Sequence, residues 1–435
     1  MNLVDLSAAC PGLDFSIPYK PYDTLFTIGD YVVKYLQKTF DIIKSSPTIE
    51  NSVIVDFVKA DLDDSLLPFT GESLIKYLKC SEAAAEKFLL AQSSFFAVSF
   101  EPEEYKILGP CDSVSFVVDP KTKIRVGGYG MVHKVFEDNK PHARETISDN
   151  YGTEKIMMEL KILRLATETQ NPHLIRLRCA YAQGDKVSLI TYPWCEFDLS
   201  TFLKGSSEMS FWVKLRPKEK LILITDWMAC LASGLSALHK KNIKHQDMKP
   251  ANVLLDANLL PVICDFGLSK AFDKDSKSVK VQGTLAYLPP EQFEETVGRK
   301  GDIFSLGLVF VELALLFFGQ KSLKEEFTSG LFMDITKSLN DFLAKKFPTL
   351  NNSTMDDWNN RFQTLIRSML HEAPENRPKA SEVWEKAKEM VESLGAKPHC
   401  EDVSPVGSIP CEHEEQEDDT EIHLRENLAK LMVKE

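Results

Sequence analysis

His245-Gln246-Asp247-Met248-Lys249-Pro250-Ala251-Asn252 and, a little further on, Asp265-Phe266-Gly267 decide how this chain is read. Phosphoryl transfer from ATP needs a carboxylate to position the attacking hydroxyl, ligands for Mg2+, and a cation near the transferred phosphate. Asp247, Asn252 with Asp265, and Lys249 are those residue types. In this assignment Asp247 is catalytic, orienting the hydroxyl and accepting its proton. Lys249 is catalytic in neutralising charge that builds on the γ-phosphate, and Asn252 and Asp265 are the metal ligands. A decayed loop kept only for packing would carry some of the same letters, but decay is expected to remove Asp247 or Asp265 first.

The two segments resemble the catalytic and metal loops of eukaryotic serine/threonine protein kinases, with Gln246 where arginine is usual. The resemblance covers about residues 106 to 394. It implies an α+β, bilobal kinase fold with a small antiparallel-sheet N-lobe (106–192) and a mainly helical C-lobe (193–394). A helical N-terminal extension (1–105) would precede it, and an acidic, mostly disordered tail (395–435) would follow. It further implies ATP and Mg2+ as cofactors and Ser/Thr hydroxyls of a protein substrate as acceptors. A pseudokinase scaffold or nucleotide-binding regulatory module is the alternative. A small-molecule kinase is a weaker third reading, because the segment from Gly283-Thr284 to Glu291 looks like a peptide platform.

Upstream, Arg125-Val126-Gly127-Gly128-Tyr129-Gly130-Met131-Val132 reads as a glycine-rich loop. Gly127, Gly128 and Gly130 let backbone approach phosphates, and Val132 can cover one face of adenine. Without the downstream motifs it could be a plain hairpin turn. Arg125 takes the place of the first glycine, where a side chain could stiffen the loop or crowd the nucleotide. Glu159 lies on a helix expected over Glu154–Ala166 and resembles the glutamate that pairs with a strand lysine. On the preceding strand, His142-Ala143-Arg144-Glu145, aligning Ala143 puts Glu145 in the lysine slot. Two carboxylates would then meet where an ion pair is expected, and both would repel a triphosphate. Three accounts stay open: Arg144 or Lys134 supplies the cation, Glu145 points away, or efficient catalysis is lost.

Thr191 matches the residue at the back of the adenine pocket, and Ala143, Val132 and Leu254 would sandwich the ring. Packing explains these apolar positions nearly as well. Tyr192-Pro193-Trp194 matches the segment joining the lobes, and Pro193 has no N–H to offer adenine. Glu291 is expected to form a buried ion pair with Arg377, and Asp302 to bond the catalytic-loop backbone. Lys249 two residues after Asp247, with Thr284, resembles the serine/threonine class. Gln246 cannot make a charge-assisted pair with an activation-loop phosphate. Ser276 and Ser278 remain acceptor candidates, or simply part of a surface loop.

The strand candidates are Ser113–Asp119, Met131–Phe136, Ala143–Ile147, Leu174–Tyr181 and Lys186–Tyr192. Helical spacing appears over Asp30–Ile43 and Ser81–Phe95, and again over Thr420–Val433 in the tail. A net charge of −13 argues against a nucleic-acid-binding surface. Part of it is local, at Glu412, Glu414, Glu415, Glu417, Asp418 and Asp419. Nine cysteines without CxxC spacing read as reduced structural residues in a cytoplasmic or nuclear protein, not as a disulfide frame or zinc site. No secretory signal and no membrane span are expected. Ile303–Phe318, the most apolar stretch, carries Glu312 and reads as a buried helix. Leu66-Leu67-Pro68-Phe69 and Phe88–Phe96 look like extensions of fungal kinase-like proteins.

Overall fold

The computed structural model describes residues 16, 18–19, 26–46, 48–64, 67, 69–109, 112–122, 125–126, 130–148, 153–205, 209–266, 270–271, 285–293, 298–327, 332–349 and 352–400. Gly127, Gly128, Gly267, Ser276, Ser278, Gly283, Thr284 and the 420–433 segment lie outside them. The chain forms two compact units. One is Met1–Phe100 with Leu108–Val117, and the other is Glu101–Ile107 with Val118–Glu435.

The first unit is helical: α1 (Ile28–Tyr35), α2 (Gln37–Ser45), α3 (Val53–Lys59), α4 (Gly71–Leu78) and α5 (Glu82–Phe95). Its core gathers Phe57, Phe69 and Phe88, with ring centroids 5.1 to 6.1 Å apart. The single helix expected over Asp30–Ile43 is broken at Leu36, which is buried. Asp64 explains the break. Its carboxylate accepts from the backbone N–H groups of Lys38 (2.6 Å) and Thr39 (2.9 Å) and from the Thr39 hydroxyl (2.7 Å). That satisfies N–H groups which a new helix start would otherwise orphan.

The second unit opens with a seven-stranded sheet: β1 (Glu104–Leu108), β2 (Val117–Val118), β3 (Arg125–Val126), β4 (Gly130–Glu137), β5 (Lys140–Ser148), β6 (Arg176–Gln183) and β7 (Lys186–Tyr192). Helix α6 (Thr153–Thr167) interrupts it between β5 and β6. The order is β1-β6-β7-β5-β4-β2, with β3 on β4. The pairs β3–β4, β4–β5, β5–β7 and β6–β7 are antiparallel. The strand expected over Ser113–Asp119 contracts to β2, and the one expected from Leu174 starts at Arg176.

The helical part of this unit is built on α7 (Pro217–Lys240), α8 (Arg299–Phe317), α9 (Ser353–Met369) and α10 (Ala380–Ser393). Proline begins α7, where its missing N–H costs nothing, and Glu219 accepts from the Arg216 N–H at 2.8 Å. Helix α8 holds the apolar stretch read above and is buried from Gly301 through Leu315, Glu312 included. Helix α7 is long and apolar enough to cross a membrane, but most of it is buried inside this lobe. Two short strands, β8 (Val253–Leu255) and β9 (Pro261–Ile263), bracket the turn that leads to Asp265.

Arg377 and Glu291 form the expected pair, bidentate at 2.6 and 2.8 Å, with the guanidinium over the Phe304 ring. The tail does not begin at 395: Cys400 is buried, and the His399 N–H reaches Asp226 at 2.8 Å.

Removing one member of a buried ion pair leaves the other charged and unpaired. Arg377→Met should lower unfolding free energy by about 3–5 kcal/mol. Adding Glu291→Gln should restore much of that loss. Urea unfolding of the single and double variants checks both statements; equal losses would refute them.

Candidate active site

The site lies where the loop after α7, the β8–β9 hairpin and the sheet's β4–β5 face come together. Asp302, at the start of α8, holds the loop. Its Oδ1 accepts from the Gln246 N–H (2.8 Å), and its Oδ2 accepts from the His245 N–H (3.0 Å) and His239 Nε2 (2.8 Å). Burial alone would push the Asp302 carboxyl up. The bonds to His239 and the backbone outweigh that and hold it below its ordinary value. Gln246 sits at φ 66° and Asp265 at φ 65°, a left-handed region uncommon for residues other than glycine.

His245 donates from Nε2 to the Cys264 carbonyl at 3.0 Å and stacks edge-on against Phe266. The Cys264 N–H in turn reaches the Asn252 carbonyl at 3.0 Å. Thus the two sequence motifs are bonded to each other.

Asp247, Lys249 and Asn252 form one network. Lys249 Nζ is 2.6 Å from Asp247 Oδ2, and Asn252 Nδ2 donates to the Asp247 carbonyl and to Oδ2, both at 2.9 Å. With its amide nitrogen committed, Asn252 keeps Oδ1 as its side-chain acceptor, the kind of atom a hard cation takes. Asn252 and Asp265 therefore suit a divalent metal.

The register settles which way Glu145 faces. It lies directly across from Val132, and Ala143 lies across from Lys134 and Thr191. Side chains alternate along a strand, so Ala143 and Glu145 share the cleft face, and Arg144 points to the other. Glu159 is buried on α6, and its Oε2 has no hydrogen-bond partner among the described residues. Burial, then the charge of Glu145, then that of Asp265, pushes the Glu159 carboxyl up to about 8. Three carboxylates thus converge where the resemblance implied one lysine–glutamate pair.

Lys134, the other cation considered, is on the cleft face but engaged elsewhere: its Nζ is 3.1 Å from Glu196 Oε1. Arg125 joins the same cluster. It donates to the Cys195 carbonyl at 2.9 Å and to the Glu196 carbonyl, and its guanidinium stacks 4.8 Å from the Trp194 ring centroid. Trp194 Nε1 donates to Glu196 at 2.8 Å. Arg125 therefore clamps the start of the glycine-rich segment to the strand connection after β7. The sequence held Arg125 as a departure but offered no signal for its partners, which are about 70 residues away. Val132, Ala143, Thr191 and Leu254 are half-buried, as side chains lining an open cleft are.

The sequence profile described as "Protein kinase domain" matches residues 119–387, more than half of the chain. A mouse interferon-induced, double-stranded RNA-activated protein kinase is 28% identical over 60% of this chain and 48% of its own length. A probable leucine-rich repeat receptor-like serine/threonine-protein kinase of Arabidopsis thaliana is 32% identical over 45% of this chain and 19% of its own. The serine/threonine-protein kinase Nek3 of Oryza sativa subsp. japonica is 26% identical over 51% and 34%. The chain spans no more than about half the length of these relatives.

A carboxyl whose folded pKa lies above its unfolded value gives stability at low pH that is lost as pH rises through the folded pKa. Glu159 should make folding weaken between its ordinary value of 4.5 and about 8. Glu159→Gln removes that dependence. The variant's melting temperature minus the wild type's, without nucleotide, should therefore increase steadily across this window. Taking the difference cancels Glu312, another buried carboxyl pushed up to about 7. A difference that does not change with pH would refute the assignment.

Proposed function

The chain belongs to the protein kinase family, and we propose that it transfers the γ-phosphate of ATP to serine or threonine hydroxyls of a protein substrate. The observation that carries this reading is the bonded set Asp247, Lys249 and Asn252, with Asp265 tied to it through the Cys264–Asn252 backbone bond. Asp247 accepts the proton of the incoming hydroxyl. Lys249, already against that carboxylate, meets the charge that develops on the phosphoryl group. Asn252 and Asp265 would hold a divalent ion, with Mg2+ the natural choice for oxygen ligands beside phosphates. When bound, that ion neutralises phosphate charge. Lys249, two residues after Asp247, supports hydroxyl acceptors of the serine/threonine kind.

A second reading rests on a specific observation, the facing carboxylates of Glu145 and Glu159. They give the α and β phosphates no cation from β5 and add negative charge there. On this reading the chain binds nucleotide, transfers poorly and acts as a regulatory module. A neutral Glu159 softens the repulsion, because protonation leaves Glu145 and Asp265 as the remaining charges. We infer a cytoplasmic or nuclear setting from nine cysteines that lack CxxC spacing.

Transfer of labelled γ-phosphate to the chain itself and to a basic protein separates the readings. On the first, wild-type transfer is measurable and Asp265→Asn lowers it about 100-fold or more. Glu145→Lys should raise transfer by roughly tenfold or more on either reading, by restoring the pair with Glu159. Wild-type transfer that survives Asp265→Asn would defeat the catalytic assignment. Silence in the wild type with activity in Glu145→Lys would establish the second reading.

A further inference from the structure

Two thiols and an imidazole that belong to neither of the two catalytic motifs meet inside the second unit. His173 comes from the loop between α6 and β6, Cys230 from α7, and Cys400 from the segment after α10. All three are buried, at 1%, 0% and 5% exposure. Cys400 Sγ is 2.6 Å from His173 Nε2 and 3.3 Å from Cys230 Sγ, and the three ligand atoms lie within 4.8 Å of one another. His173 is held for this role: Nδ1 donates to the Pro261 carbonyl at 2.9 Å, which leaves the Nε2 lone pair facing the sulfurs. An imidazole with one nitrogen on a backbone carbonyl and the other toward thiols is the outer-shell pattern that orients metal-bound histidines. Asp226, one helical turn before Cys230, has its Oδ2 4.0 Å from the Cys230 sulfur. Its Oδ1 accepts the His399 N–H at 2.8 Å.

We propose that His173, Cys230 and Cys400, completed by Asp226, form a tetrahedral site for a soft divalent cation of the zinc class. The ion fastens the segment after α10 to the large lobe and to the loop that follows α6. Thiolate, imidazole and carboxylate are a zinc donor set, and four protein ligands leave no open position, as in a structural site. Metal bonds of about 2.3 Å to sulfur and about 2.0 Å to nitrogen need ligand atoms roughly 3.5 Å apart, so the Cys400–His173 pair, now at 2.6 Å, must open by about 1 Å, and the Asp226 carboxylate, 4.0 Å from the Cys230 sulfur, must turn inward. Cys400 can provide that opening, because it lies seven residues past the end of α10. Two thiolates and the Asp226 carboxylate around a divalent cation leave one net negative charge, which the His399 N–H on Asp226 Oδ1 partly offsets. His173 is also tied by backbone to β9: its carbonyl accepts the Ile263 N–H at 2.8 Å. The site thus joins the chain after the kinase-matched region, which ends at residue 387, to α7 and to the loop that is bonded to β9.

Elemental analysis of the full chain, purified in reductant from zinc-supplemented cells, should find one zinc per molecule. Cys400→Ala and Cys230→Ala should lose it, while Cys179→Ala, a buried thiol outside the cluster, should keep it. Cobalt added to the chelator-stripped wild type should give thiolate-to-metal charge transfer and the intense visible bands of tetrahedral coordination. This second readout stands even if the variants fail to fold. Substoichiometric zinc with no cobalt charge transfer overturns the proposal. So does a peptide map that finds Cys230 and Cys400 joined as a disulfide.

Discussion

A buried carboxylate at the start of α8 organises the chemistry of this protein. Asp302 is enclosed in the lobe, so every lone pair it carries must be answered by a donor. It takes two of its partners from the backbone of the catalytic loop and a third from His239 at the end of α7. The loop can therefore hold Gln246 at a positive φ that would be unfavourable in isolation. From this anchor, His245 reaches Cys264 and Asn252 reaches Asp247, so the residues of the two motifs share one frame. Helix α8 stays in place partly through the Glu291–Arg377 pair, whose guanidinium lies on Phe304 of that helix.

The cleft has an electrostatic asymmetry. On the catalytic-loop side, acid and base are matched at Asp247 and Lys249. On the sheet side, Glu145 and Glu159 are matched in sign, and Glu159 answers by holding its proton. The nearby cations, Arg125 and Lys134, are drawn instead to Glu196 and Trp194 at the lobe connection. Positive charge therefore sits at the adenine end of the cleft, and negative charge where phosphates would lie. A cation bound by Asn252 and Asp265 would carry more of the phosphate-neutralising work here than in a site with a strand lysine.

Much of this was legible from local letters. The catalytic and metal motifs are short and contiguous, and the strands β4, β5 and β7 and helix α6 follow ordinary alternation and helical spacing. The pairing of Glu291 with Arg377 and the role of Asp302 could be named because the resemblance supplied their positions. The division of the first helix at Leu36 could not, since its cause is Asp64, which the chain brings back only after α3. Nor could the extent of the ordered tail, because Cys400 is held by contacts with residues about 170 and 227 positions earlier.

The sequence by itself determined the family and the two-lobed plan and singled out Asp247, Lys249, Asn252 and Asp265 as the candidate site, because these depend on residue type and near spacing. Tertiary structure alone decided which way Glu145 faces, because strand alternation acquires a direction only when β4 and β7 flank β5. It alone placed Arg144 on the opposite face of β5 and Lys134 against Glu196. It also gathered His173, Cys230 and Cys400, scattered cysteine and histidine positions with no motif spacing, into one buried cluster. Long-range packing sets these outcomes: it brings together groups whose separation along the chain carries no signal of contact.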